Sequence, residues 1–248
     1  MRAKEVWEAR WRVLILNPIG WLLAASFPFL FQLIRHGHKP IPSAVAPFLH
    51  YPNMAFGWFG EDLPELLLVY VIVWAVAQIT REWQTGSIEF LGQLPLTRSQ
   101  VAWAKGIWGS AEIAVAAVLS TAALWIASML GGHPVSFAAL MLSGLVMAMG
   151  FIAILWMVSA FAWAIHSTYA IILIALGLYV ASVAVRAVAA WRRFSPLTYI
   201  GNTNPQANFV ALWERLGILA VAAAILAWVA LAVAARQEFV SNHGRDQL

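Results

Sequence analysis

The side chains able to do chemistry are few and scattered. His36, His38 and His50 share one segment, "RHGHKPIPSAVAPFLH", where imidazoles could hold a metal ion or pass a proton. Their spacing matches no zinc pattern. The chain has no cysteine, which removes thiolate ligands, disulfides and cysteine nucleophiles. The three read as histidines of a polar loop. Glu112 and Arg186 each stand in an apolar run, where an ionisable group is costly and therefore a candidate for a transport or gating role. Glu112 follows Lys105 closely enough to reach the membrane interface. Arg186 lies near one end of its run, from which it can snorkel outward or hold an anionic lipid or substrate. Gln78 can hydrogen-bond a neighbouring helix, and Ser110, Ser143 and Ser159 suit helix packing. Neither His-Glu-x-x-His nor Gly-x-Ser-x-Gly occurs, and no carboxylate and histidine pair on any one apolar run. An intramembrane enzyme is therefore a poor reading.

One stretch is different. From Ile79 to Gly106 the chain reads "ITREWQTGSIEFLGQLPLTRSQVAWAKG", with Arg81, Glu82, Glu89, Arg98 and Lys105 inside an otherwise oily sequence. Gly86 to Leu94 predicts a short amphipathic helix: Ile88, Leu91 and Leu94 recur at spacings of three and share a face. Glu89 falls in its first turn, where a carboxylate suits the positive helix end. Pro95 stops it. Thr97 then caps a second helix, with Gln100 three residues on to reach back as a capping box. Run from Arg98 to Leu130, that helix would be roughly 50 Å long, more than a bilayer core, so its first turns should stand in the cytoplasm. A transverse helix exposing Ile88, Phe90 and Leu91 needs a surface to pack on, either lipid headgroups or a partner protein whose register the adjoining charges would fix.

The elements that must carry these residues are membrane spans. Of 248 residues, 62% are hydrophobic and 10% charged, and mean hydropathy is +0.77. A soluble domain is about a quarter charged and could not cover its surface with so little. Fourteen tryptophans suit the membrane interfaces. The pI of about 9.8 reflects basic residues beside apolar runs, where topology and anionic lipid account for them without nucleic acid. Six runs approach the roughly 20 residues a span needs: 13–34, 63–80, 107–130, 137–161, 169–190 and 216–235. The fourth and fifth are joined only by "AWAIHST" and form a tight hairpin. With the N-terminus in the cytoplasm, the inner segments hold nine basic residues, Arg2, Lys4, Arg10, Arg12, Arg81, Arg98, Lys105, Arg236 and Arg245. The outer segments hold five, Arg35, Lys39, Arg192, Arg193 and Arg215. Both termini are thus expected inside.

At the N-terminus, Trp7, Trp11 and Leu14 at helical spacing, with four basic residues, predict an interfacial helix over about 2–16, bent into the first span at Asn17-Pro18. The start does not read as a cleavable signal. The first outer loop is rich in proline and aromatics. The second, "WRRFSPLTYIGNTNPQANFVALWER", is expected to hold a short helix or a partial re-entry. Nothing marks a second domain, so 1–248 reads as one all-α polytopic unit.

The stretch "REWQTGSIEFLGQLPLTRSQVAWAK" resembles the first cytoplasmic loop of ABC-2 type transporter permeases. That loop has a glutamate, a Gly-Thr-Leu-Glu-like run, leucines, a proline with a Ser/Thr-Arg turn, and a lysine opening the next helix. Glu82, Gly86, Ser87, Ile88, Glu89, Leu94, Pro95, Thr97, Arg98 and Lys105 fall on the pattern, with Ser87 and Ile88 as departures. Six spans, the basic N-terminal helix and "FSPLTYI" before the last span extend the likeness more weakly.

The resemblance implies a multi-pass permease of a prokaryotic cytoplasmic membrane. Its 86–94 helix, within a coupling loop over 81–106, would be a coupling helix docking on a separately encoded ABC ATPase. Glu82, Gly86, Ile88, Glu89, Leu91, Leu94, Pro95, Arg98 and Lys105 would then form the ATPase-coupling surface. A second permease subunit, identical or not, would complete the assembly, which would export or flip a drug, peptide, lipid or polysaccharide. ATP and Mg would bind in the partner: this chain has no Gly-x-x-x-x-Gly-Lys-Ser/Thr phosphate loop and is expected to bind no cofactor. An accessory or sensory protein that binds an ATPase without moving a substrate would share the same loop.

Overall fold

A computed structural model describes residues 71–72, 97–130, 135–165, 167–188, 190–191, 195–200 and 209–236. Among them the chain is helical, with no strand. The helices are α1 (Arg98–Leu130), α2 (Phe137–Ala164), α3 (Thr168–Ala187), α4 (Pro196–Ile200) and α5 (Phe209–Arg236). Segments of α1, α2, α3 and α5 are long and apolar enough to cross a membrane. The spans expected at 13–34 and 63–80, the interfacial helix at 2–16 and the short helix at 86–94 lie outside the described residues, apart from Val71 and Ile72. These two are helical and buried in the common core.

α2 is the centre. Its sequence, FAALMLSGLVMAMGFIAILWMVSAFAWA, is apolar on every face, as a helix surrounded by others must be. Within their most apolar windows, 67% of α2 is buried against 31% of α1, 22% of α5 and 11% of α3. α5 packs on α2 most extensively and α1 next, and α1 also touches α5. The α5 side of this contact is a narrow seam. Leu212, Leu219, Ala223, Ala230 and Ala234 are buried, alternately seven and four residues apart. The small residues let the two backbones approach, which is how helices gain contact where lipid gives no hydrophobic drive between them.

α1 and α2 are antiparallel, and three contacts fix their register. Gly106 receives Trp156 and Gly144 receives Thr121, each glycine lacking the Cβ that would occupy the neighbour's space. The Trp125 ring stands edge-on to Phe137 at 5.2 Å. Arg98 lies eight residues before Gly106, and Ala164 eight residues after Trp156. The start of α1 and the end of α2 therefore come level.

The α2–α3 connection is as short as the sequence implies. Ile165 N–H donates to Phe161 at 2.7 Å as α2 ends, and Ser167 caps α3 by accepting from Ala170 N–H at 3.4 Å. α3 turns one stripe inward, with Ile171 and Ala175 buried, while Tyr169, Leu173 and Val180 face outward.

Helix ends differ from the span limits where hydropathy is a poor guide. α5 begins at Phe209 rather than Leu216 and takes Glu214 and Arg215 into its first two turns. α2 continues to Ala164, past Phe161, and α3 ends at Ala187, before Ala190. Charge ends an apolar run without ending a helix, because the backbone hydrogen bonds continue through it.

Candidate functional site

The described part of the expected coupling surface is the first two turns of α1. Thr97 and Gln100 form both bonds of a capping box: Thr97 N–H donates to Gln100 Oε1 at 2.9 Å, and Gln100 N–H to Thr97 Oγ1 at 3.3 Å. Two of the amide hydrogens that a helix start leaves without an intrahelical partner are thereby satisfied. The helix then begins with Val101 N–H donating to the Thr97 carbonyl at 3.2 Å. Arg98, its first residue, is buried at 6% exposure and lies on the same stripe as buried Ala102, Gly106 and Ile113. At Gly106 that stripe meets Trp156 of α2, so the start of α1 has one buried side, while Gln100, Trp103 and Ala104 are exposed.

Lys105 and Glu112 are partly buried. Arg98, Lys105 and Glu112 are seven residues apart in succession, which keeps them along one side of α1 with a drift of about 20° per step. The structure thus lines up three of the sequence-derived candidates on one helix. Arg186 is not among them. It sits partly buried in the last turn of α3, eighteen residues and roughly 27 Å beyond the turn where α3 begins. Glu82, Gly86, Ile88, Glu89, Leu91, Leu94 and Pro95 lie outside the described residues, as do His36, His38, His50 and Gln78. Among the described residues no group of three or more His, Asp or Glu could hold a metal ion. The three serines of the apolar runs bond the backbone: Ser110 donates to Gly106 at 2.7 Å, Ser143 to Ala139 at 3.0 Å and Ser159 to Leu155 at 2.7 Å. Each is the hydroxyl-to-preceding-turn bond by which a helix absorbs a polar side chain in apolar surroundings.

A second arrangement, against the α2–α3 hairpin, was visible in the sequence only as "FSPLTYI". Ser195 and Pro196 open α4, proline at the first helical position losing no bond that the helix needs. Thr198 N–H closes the turn onto Ser195 at 3.0 Å. Leu197 and Ile200 are buried. So is Ser195, whose Oγ donates to the Ser182 carbonyl of α3 at 2.7 Å. Ile200 fills the space beside Gly150 of α2. Gly150 is fourteen residues before the end of α2, and Ser182 fourteen after the start of α3. Both contacts therefore place α4 about 21 Å from the α2–α3 turn, across the hairpin at the mid-height of α2.

Tryptophans mark both ends of the bundle's surface. Trp213 and Trp228 stand outward on α5, about 22 Å apart along its axis, within the roughly 30 Å of a bilayer's hydrocarbon core. Trp103 and Trp108 are exposed on the first turns of α1, and Trp191 just past α3. The surface between Trp213 and Trp228 is apolar, with Ile218, Val221 and Ile225 outward on α5.

No protein-family model matches the chain, and no curated protein matches it closely enough to mark a relative.

Proposed function

We propose that the chain is the transmembrane permease subunit of an ABC-2 type exporter, embedded in a prokaryotic cytoplasmic membrane with both termini inside. A separately encoded ATPase would dock on the segment around Gly86–Leu94, and a second permease copy or homologue would complete the pathway. The observation that carries this reading is the Ile79–Gly106 stretch. Its Pro95 break and Thr97–Gln100 cap give one sharp start to a long helix directly after an amphipathic segment. The capping box and the burial of Arg98 support it, since a rigid helix start is what a docking segment needs behind it. The mid-height position of α4 fits a partial re-entry from the outer side.

Leu91→Arg and Glu89→Arg test it. Each variant should lose most of the ATPase that co-purifies with the tagged wild-type chain, and the residual complex should lose ATP turnover in lipid nanodiscs. Full retention and turnover in both variants would sink the reading. A wild-type complex that hydrolyses ATP but moves no substrate in sealed vesicles would instead indicate an accessory or sensory role.

A further inference from the structure

One side chain of α2 is gripped by two successive turns of α1. Trp156 is 4% exposed. The far edge of its indole meets Gly106, and its ring centroid is 6.1 Å from that of Trp103, tilted by 35°. The Ser110 hydroxyl, one turn on, bonds the Gly106 carbonyl at 2.7 Å. Higher up, Thr121 against Gly144 and Trp125 against Phe137 repeat the interlock. α1 cannot slide or roll on α2 without displacing a buried side chain, Trp156 or Thr121, at the lower two levels, and close-packed contacts of this kind transmit displacement. The lowest of the three, Gly106 with Trp156, lies about 12 Å above Arg98, nearest the capped helix start.

We propose that Gly106 and Trp156 form the joint through which a displacement of the segment before Thr97 passes to α2, with Trp156 as the positioning residue. The proposal rests on the permease reading, because it takes an ATPase to be the source of that displacement. Through α2, which touches every other described helix of the bundle, the movement reaches α3, α4 and α5 together. Without the indole, the first two turns of α1 are free to bend away from α2, and the displacement is absorbed there. Trp103 flanks the joint and cannot replace it, being half-exposed on its outward side.

The natural absence of cysteine makes the test direct. Spin labels go on exposed alanines of the full chain in nanodiscs of phosphatidylethanolamine and phosphatidylglycerol. The pair Ala104→Cys/Ala164→Cys reads the joint, and Ala138→Cys/Ala187→Cys reads the opposite ends of α2 and α3. In the chain alone, Trp156→Ala should broaden the first distance distribution at least about twofold as packing at the joint is lost, and leave the second as it was. Trp156→Phe, which keeps a ring over Gly106, should restore the narrow distribution. In the complex with the co-purified ATPase, ATP and vanadate should shift the second distance in wild type and in Trp156→Phe. In Trp156→Ala that shift should be absent while ATP turnover persists. A first distribution unchanged by Trp156→Ala, or the same nucleotide-driven shift in all three proteins, would overturn the proposal. If wild type retains no ATPase, the permease reading fails on its own, and the width of the first distribution still decides whether the joint exists.

Discussion

Ile200 of α4 sits in the space that a Cβ on Gly150 of α2 would occupy. The crowding is by the γ-carbons of a β-branched side chain. Rotating about its first side-chain torsion moves one γ-carbon away and brings another in, so the clash has no easy exit. Gly150→Ala should therefore lift α4 from α2 rather than repack it, at a cost of about 1–3 kcal/mol, as for other overpacked cores. The purified variant should unfold at lower temperature. Thr198→Cys in its background should react faster with a water-soluble maleimide than in wild type. Equal melting and equal labelling would show that α4 is not held there.

The start of α1 should depend on its cap. Thr97→Ala removes the oxygen that accepts from Gln100 N–H, at a cost of about 1 kcal/mol. Local opening of the first turn should then become roughly fivefold more frequent. Hydrogen exchange at the amides of Ser99 to Val101 reads this, with amides past Gly109 as the unchanged reference. Exchange as slow as in wild type would mean that packing of Arg98 and Ala102 alone fixes the helix start.

The middle contact between α1 and α2 is open to a double-mutant cycle. Gly144→Ala places a methyl group against the Thr121 hydroxyl and Cβ and should cost about 1–3 kcal/mol. Thr121→Ala keeps Cβ but removes the hydroxyl, the nearest atom, and Cγ2, together with the Thr121 bond to the Ala117 carbonyl at 2.7 Å, and should cost less. The double variant should recover much of the loss, giving a coupling energy of about 0.5–3 kcal/mol. Additive losses would show that the two residues do not press on one another.

What could be read from the sequence divides along physical lines. The start of α1 was legible because proline, threonine and glutamine act locally, through backbone bonds three residues apart. The α2–α3 hairpin was legible because seven residues leave no other geometry. The start of α5 was not, since Glu214 and Arg215 end an apolar run while the helix continues through them. The faces of α2 were hidden for a different reason. A helix apolar all round has no polar stripe to orient it, so nothing in its sequence shows Trp156 turned to α1 or Gly150 turned to α4. α4 itself is five residues long, too short for periodicity. Its Ser195-Pro196 opening was the one signal present.

α2 and α5 are each 28 residues long, about 42 Å, whereas a bilayer's hydrocarbon core is about 30 Å thick. The surplus must be taken up by tilt or by immersion of the helix ends among headgroups, at a fraction of a kcal/mol for each ångström of mismatch. Because α5 lies along α2 over its length, the two must lean together, and α4 leans with them through Ile200. Hydrophobic thickness, set by acyl-chain length, thus acts as a setting on the inclination of the whole bundle: a thinner bilayer steepens the lean, and a thicker one brings α2 toward the membrane normal.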